Sequence, residues 1–152
     1  MNLDWNKFER GVFLVNVFAI VHDPQKNMIL IGKRKNDPFV PQLTWCFPGG
    51  RPAYDDELES YLKLEVKKKT GLDIVPKELV FARTHSENRK MLSLYYHCEV
   101  IGGKEKSGEK FVEQKWVKPI EVKNYFTTSL HPKIYEDAAS MPSIGTATKT
   151  AP

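Results

Sequence analysis

Glu65 and Lys69 stand four residues apart, with Lys68 beside them, on a segment whose apolar residues fall on one face of a helix. Steps of about 100° per residue from Leu58 place Leu58, Tyr61, Leu62 and Val66 on a broad apolar arc, with Glu59, Ser60, Lys63 and Lys67 opposite. Glu65 and Lys69 fall inside that arc and Lys68 at its edge, so three charged groups look toward the body of the protein. Two readings fit this placement. Either Glu65 and Lys69 form an ion pair with the lysine stem lying along the core edge, or the face borders a site for a charged ligand. Other chemistries have less to draw on. The histidines, His22, His85, His97 and His131, show no metal-ligand spacing, and His97 within Tyr95-Tyr96-His97-Cys98 reads as a strand residue. No local Ser/His/Asp or Cys/His signature is present, and neither Gly49-Gly50 nor Gly102-Gly103 is followed by the Gly-Lys-Ser/Thr of a phosphate loop.

The elements that must position these residues can be read from punctuation and periodicity. Val12 to Val21 is β-branched and aromatic and reads as a strand, His22 to Asn27 as a turn, and Met28 to Gly32 as a second strand. A Pro-rich stretch, Lys35 to Gln42, precedes an apolar run from Leu43 to Phe47 and the loop Pro48-Gly49-Gly50. Asp55-Asp56 is the expected N-cap of a helix that runs to Thr70, and Gly71 is its stop. Leu72 to Val75, Leu79 to Thr84, Met91 to Ile101 and Phe111 to Val117 read as four further strands. Pro119 to Phe126 and Pro132 to Ala139 read as short helices, and the small, polar composition of Ser140 to Pro152 as a tail. The domain is expected over residues 1–137, with a disordered tail over 138–152.

With 152 residues, the chain has room for one ordinary domain. A hydrophobic share of 41% with 28% charged residues excludes a disordered or fibrous class. A net charge of +4 suits anionic ligands without the dense basic clusters of a nucleic-acid binder, so RNA binding on the basic helix ranks last. Cys46 and Cys98 lie far apart and read as buried free thiols in a reducing cytosol. Val12 to Val21 is too short to span a bilayer, which needs about 20 residues, and Asp4 and Glu9 spoil it as a signal peptide. A cytoplasmic protein without membrane contact is expected.

Gly50, five residues, Asp56, seven residues, and then Leu64-Glu65-Val66-Lys67-Lys68-Lys69-Thr70-Gly71-Leu72 resemble the Nudix box, which runs Gly, five residues, Glu, seven residues, Arg-Glu-apolar-x-Glu-Glu-x-Gly-apolar. Gly50, Glu65, Val66, Gly71 and Leu72 match, and Asp56 is a shortened match. Trp45 to Gly50, Gly32-Lys33-Arg34 and Trp116-Val117 are also similar to the family, so the likeness covers roughly residues 10 to 137. It implies an α/β (α+β) Nudix fold, a mixed β-sheet sandwiched by helices with a central loop-helix-loop motif. It further implies a small-molecule ligand in which a nucleoside diphosphate is linked to another group, such as a nucleotide sugar, with a homodimer as one option.

In that family the box glutamates hold Mg2+ on the diphosphate and an activated water attacks. Of the acidic groups only Glu65 and Asp56 remain here. Lys68 and Lys69 stand where two glutamates belong, and Leu64 where the arginine belongs. Unit charges about 4 Å apart interact by about 4 kcal/mol at an effective dielectric of about 20, so the two exchanges turn attraction for Mg2+ into repulsion. The box is degenerate on this reading, and hydrolysis that depends on the metal is impaired or lost. Among family branches GDP-mannose mannosyl hydrolase is the nearest in segments Gly32 to Pro38 and Pro48 to Arg51, yet its metal-binding amide and catalytic histidine fall on Lys110 and Phe111. Glu65 and Glu109 are the acids through which a hydrolase would act. Arg34, Arg51, Lys68, Lys69 and Lys110 are the cations expected around a diphosphate, whose oxygens they could bind directly. A hydrolase and a silent nucleotide-binding module, a sensor or carrier, both remain open.

Overall fold

Seven strands and one α-helix make up the described part of the chain in a computed structural model that describes residues 4–35, 44–108, 110–130 and 132. The strands are β1 (Leu14–Asp23), β2 (Met28–Arg34), β3 (Trp45–Cys46), β4 (Gly49–Gly50), β5 (Leu72–Thr84), β6 (Met91–Gly103) and β7 (Phe111–Val117), and the helix is α1 (Leu58–Thr70). Short 3-10 helices cover Trp5–Lys7 and Pro119–Asn124. The main path of the sheet runs β3-β2-β1-β6-β5, with β4 paired to β1 and β7 to β2. β1 and β6 pair in parallel and the other pairs are antiparallel, which gives the mixed sheet expected.

β1 is apolar along most of its length because both of its faces are covered. Val17, Ala19 and Val21 face one layer, closed by Leu62 and Val66 of α1 together with Leu72, Ile74 and Cys98. Ile20 faces the other, with Ile29, Ile31, Phe47, Tyr95, Val117 and Val122, over which Tyr125, Phe126 and Leu130 pack. Leu62 and Val66 are both fully buried, and burial of such side chains contributes about 1.5–3 kcal/mol each, so α1 is fixed to the sheet by the apolar arc read from its sequence. Gly71 ends the helix in the left-handed region, φ 81°, donating its N–H to the Lys67 carbonyl.

The structure departs from the sequence reading at several boundaries. β1 starts at Leu14, leaving Val12 and Phe13 exposed, and runs on through His22 to Asp23, so the turn begins later than expected. Leu72 to Val75 and Leu79 to Thr84 are one strand, β5, because Pro76 sits at a register shift between Pro76 and Glu78, where the ladder does not need its missing N–H. The N-cap is Glu57, whose carboxylate accepts from the Glu59 and Ser60 N–H groups, and not Asp55-Asp56. Asp56 is committed to the preceding turn, where its Oδ2 accepts from the Ala53 N–H at 2.7 Å. Cys46 and Cys98 are free and buried as expected, and burial pushes the Cys98 thiol up to about 12. Most of the Pro-rich stretch, the helix expected after Pro132 and the tail lie outside the described residues. Among the described residues no helix is long and apolar enough to cross a membrane.

Candidate ligand site on helix α1

β4 brings the Gly49-Gly50 backbone against β1, with Val17 opposite Gly50 and Phe18 opposite Gly49. A side chain at Gly49 would collide with the Val17 carbonyl and with Phe18, so glycine is required for this approach. The next layer is α1. A side chain at Gly50 would meet the Tyr61 hydroxyl and Glu65, which places that glycine directly over the charged part of the helix.

Lys69 is the buried member of the cluster, at 6% exposure. Its ammonium donates to the Gly49 carbonyl and lies 3.3 Å from Glu65 Oε2. Lys68 is more than half exposed and reaches Glu65 Oε1 at 3.6 Å. Glu65 is therefore bracketed by two cations, and the ion pair anticipated from the i, i+4 spacing is present, deeper than a core-edge pair. A backbone carbonyl facing a carboxylate is a donor pair that hard cations use. Here the ammonium of Lys69 lies between them, and the residues present do not fit Mg2+: two positive charges flank the single carboxylate. Among the described residues no cluster of three acidic, histidine or cysteine ligands could hold a metal.

The remaining candidates lie on other elements. The loop after β6 crosses the C-terminal end of α1, where the Lys106 N–H donates to the Thr70 carbonyl at 2.8 Å and the Gly108 N–H to the Lys69 carbonyl at 3.0 Å. That loop delivers Lys110, exposed, to the start of β7. Arg34 ends β2 in register with Phe111, so it stands one residue from Lys110 in the ladder, and its N–H donates to the Thr44 carbonyl at 2.6 Å. Arg51, exposed, follows Gly50. Asp56 is held in its own turn by Ala53, and Glu109 lies outside the described residues.

Two contributors were missed at the sequence level. The Gly49 carbonyl is a backbone group with no side-chain signature, and Gln114, whose amide donates to the Thr70 carbonyl at 3.2 Å, binds β7 to the end of α1 from a strand position that reads as solvated.

A second polar cluster lies on the other core layer. Arg83 Nη2 donates to the Ser129 carbonyl at 2.6 Å and faces His85 Nδ1 at 3.2 Å, so Nδ1 accepts and Nε2 carries the proton toward Ser93 Oγ at 3.1 Å and the Tyr95 hydroxyl at 3.2 Å. Glu87 receives both the N–H and the hydroxyl of Ser129. Burial, then the Arg83 charge, hold the His85 pKa below its ordinary value against the pull of Glu87. Burial, then His22, do the same for His97 against Glu99 and Glu78. A histidine depressed in the folded state binds its proton more readily when unfolded, so its stabilising contribution is full above about pH 6.5 and is lost as pH falls through that value toward the folded pKa. The melting temperature should fall between pH 7.5 and about 5.5, and His85→Gln should flatten that fall. An unchanged slope in the variant would remove His85 as a cause.

The chain belongs to the family of the NUDIX domain, whose family model matches residues 12–138. The fold is similar to that of the MutT protein from Methanosarcina mazei Go1, at 18% identity over 84% of this chain and 93% of that one, TM-score 0.66. It is likewise similar to an ADP-ribose pyrophosphatase from Streptococcus suis, at 17% identity over 84% and 92%, TM-score 0.62. A UDP-X diphosphatase is similar at 12% identity over 93% of this chain and 75% of that one, TM-score 0.62. No curated protein matches the sequence significantly.

Proposed function

We propose that this NUDIX-domain protein binds a nucleoside diphosphate linked to another group, a nucleotide sugar or a similar compound, beside α1 without recruiting a divalent metal through its box. The observation that carries the reading is the Lys69 ammonium seated between the Gly49 carbonyl and Glu65. A fixed ammonium neutralises the Glu65 carboxylate, and Lys68, Arg51, Arg34 and Lys110 then present positive charge to a diphosphate. Guanidinium groups bind phosphate oxygens in pairs, and each charge-assisted hydrogen bond contributes about 1.5–3 kcal/mol. The names of the ADP-ribose pyrophosphatase and the UDP-X diphosphatase support the ligand class. The likeness of segments 32–38 and 48–51 to GDP-mannose mannosyl hydrolases makes a GDP-sugar the first compound to try.

On this reading the box is degenerate and hydrolysis is slow or absent, so the protein works as a carrier or sensor, in the cytoplasm that its free thiols suit. The competing reading is a hydrolase in which Glu65 and Glu109 act at the diphosphate. Binding and turnover measured side by side over a panel of nucleotides and nucleotide sugars, with and without magnesium, separate the two. Binding without turnover supports the first, and magnesium-dependent turnover overturns it.

A further inference from the structure

Ser129 is held at each of its polar groups by side chains distant in the sequence. Its carbonyl accepts from Arg83 Nη2 at 2.6 Å, while Glu87 accepts from its N–H at 2.7 Å and from its hydroxyl at 2.9 Å. The Ser86 hydroxyl stands 3.3 Å from the same oxygen. The segment anchored in this way, residues 125–130, crosses the core layer of Ile20, Phe47 and Tyr95, where Tyr125, Phe126 and Leu130 pack. Phe126 meets Phe47 with ring centroids 5.0 Å apart. All three apolar side chains are only partly buried and contribute less than fully buried ones, so Ser129 carries a large share of the hold on this strap.

His85 touches both side chains that hold Ser129. Its Nδ1 lies 3.2 Å from Arg83 Nη2 and 3.8 Å from Glu87 Oε1, the same oxygen that accepts the Ser129 hydroxyl. The charged groups facing the ring are the Arg83 guanidinium from β5 and the Glu87 carboxylate from the turn after it; β6 offers the Ser93 and Tyr95 hydroxyls, and the strap brings Ser129, which carries no charge. A neutral ring suits this arrangement, since Nδ1 accepts from Arg83. A proton on Nδ1 reverses it. Arg83 loses its acceptor and faces a second cation, and the new N–H turns to Glu87 Oε1, where it competes with the Ser129 hydroxyl. One proton thus disturbs both anchors of Ser129.

We propose that residues 125–130 form a proton-released strap: protonation of His85 detaches Ser129 from Arg83 and Glu87 and frees the segment from the core layer of Phe47 and Tyr95. Burial, then the Arg83 charge, hold the His85 pKa below its ordinary value while the strap is closed. Release returns the ring to water and leaves Glu87 free to pair with it, so the released state binds the proton more tightly and acid favours it. The closed strap keeps its full hold above about pH 6.5 and loses it as pH falls through that value toward the folded pKa. Against burial, the Ser129 N–H and hydroxyl hold the Glu87 carboxyl below its usual range, so that group stays charged throughout. The opening is local, because α1 is fixed by Leu62 and Val66 to the other core layer.

The test is amide hydrogen exchange of the full chain at about pH 7.5 and about pH 5.5, with each rate divided by the intrinsic rate at that pH. Protection over residues 125–130 should fall about fivefold or more at the lower pH while that of α1 stays nearly constant. In His85→Gln, whose side chain does not titrate, protection of the strap should be equal at the two pH values. A second variant reads the same coupling from the other end. Ser129→Ala keeps both main-chain bonds but gives up the hydroxyl, so it should lower strap protection severalfold at the higher pH and raise the His85 pKa measured by histidine NMR. Strap protection indifferent to pH in the parent, a pH-dependent loss retained in His85→Gln, a loss shared equally by α1, or an unchanged His85 pKa in Ser129→Ala would each overturn the proposal.

Discussion

Lys69→Met should lower the unfolding free energy by about 3 kcal/mol, far more than loss of an exposed ion pair, which costs at most about 1 kcal/mol. The side chain of Lys69 is 8% exposed and that of Glu65 12%. Methionine fills a similar volume but leaves the Gly49 carbonyl and one Glu65 oxygen buried without their donor, and Lys68, more than half exposed, cannot replace it there. Most of the loss is the cost of an unpaired buried carboxylate. Adding Glu65→Gln should therefore recover a large part of it, which a double-mutant cycle in urea measures directly. A Lys69→Met protein as stable as the parent would show that the ammonium is not seated between the carbonyl and the carboxylate.

Exchanging Lys68 and Lys69 for Glu and Leu64 for Arg should create divalent-metal binding on the face of α1 that carries Glu65. The triple variant turns two ammoniums into carboxylates on the face that already holds Glu65 and beside the carbonyl that Lys69 now occupies, an all-oxygen set of the kind magnesium and manganese accept. Leu64 is 62% exposed, so an arginine there costs little packing. Manganese should bind at micromolar to submillimolar concentration by electron paramagnetic resonance, and diphosphate hydrolysis should rise at least a hundredfold over the parent. A folded triple variant with neither property would mean that these positions do not converge on a diphosphate.

The parts of this site that could be read in the sequence are those written in local spacing. The 3.6-residue period gave α1 its buried face, Gly71 its end, and the four-residue interval the Glu65–Lys69 pair. The Gly49 carbonyl lies twenty residues from Lys69 and is brought to it only by the β4–β1 pairing, so no local pattern announces it. The same holds for Gln114 and for the loop of residues 104–108 over the helix end, whose contacts are main-chain bonds between distant segments. Asp56 and Glu57 are adjacent acids with equal local claim to the cap, and the turn at Ala53, which takes up Asp56, decides between them. His-Asp-Pro is a strong local break signal that reads as a turn at His22, whereas the parallel pairing with β6 carries the strand past it. That pairing is also what sets His22 beside His97, two residues 75 positions apart in the chain.

Isothermal calorimetry of the parent protein with a nucleoside diphosphate sugar, first in EDTA and then in excess magnesium, tests most directly whether a tethered ammonium stands in for the metal. Binding should appear in EDTA, with a dissociation constant that magnesium leaves unchanged or weakens by competing for the diphosphate. Affinity that appears only after magnesium is added would contradict the account.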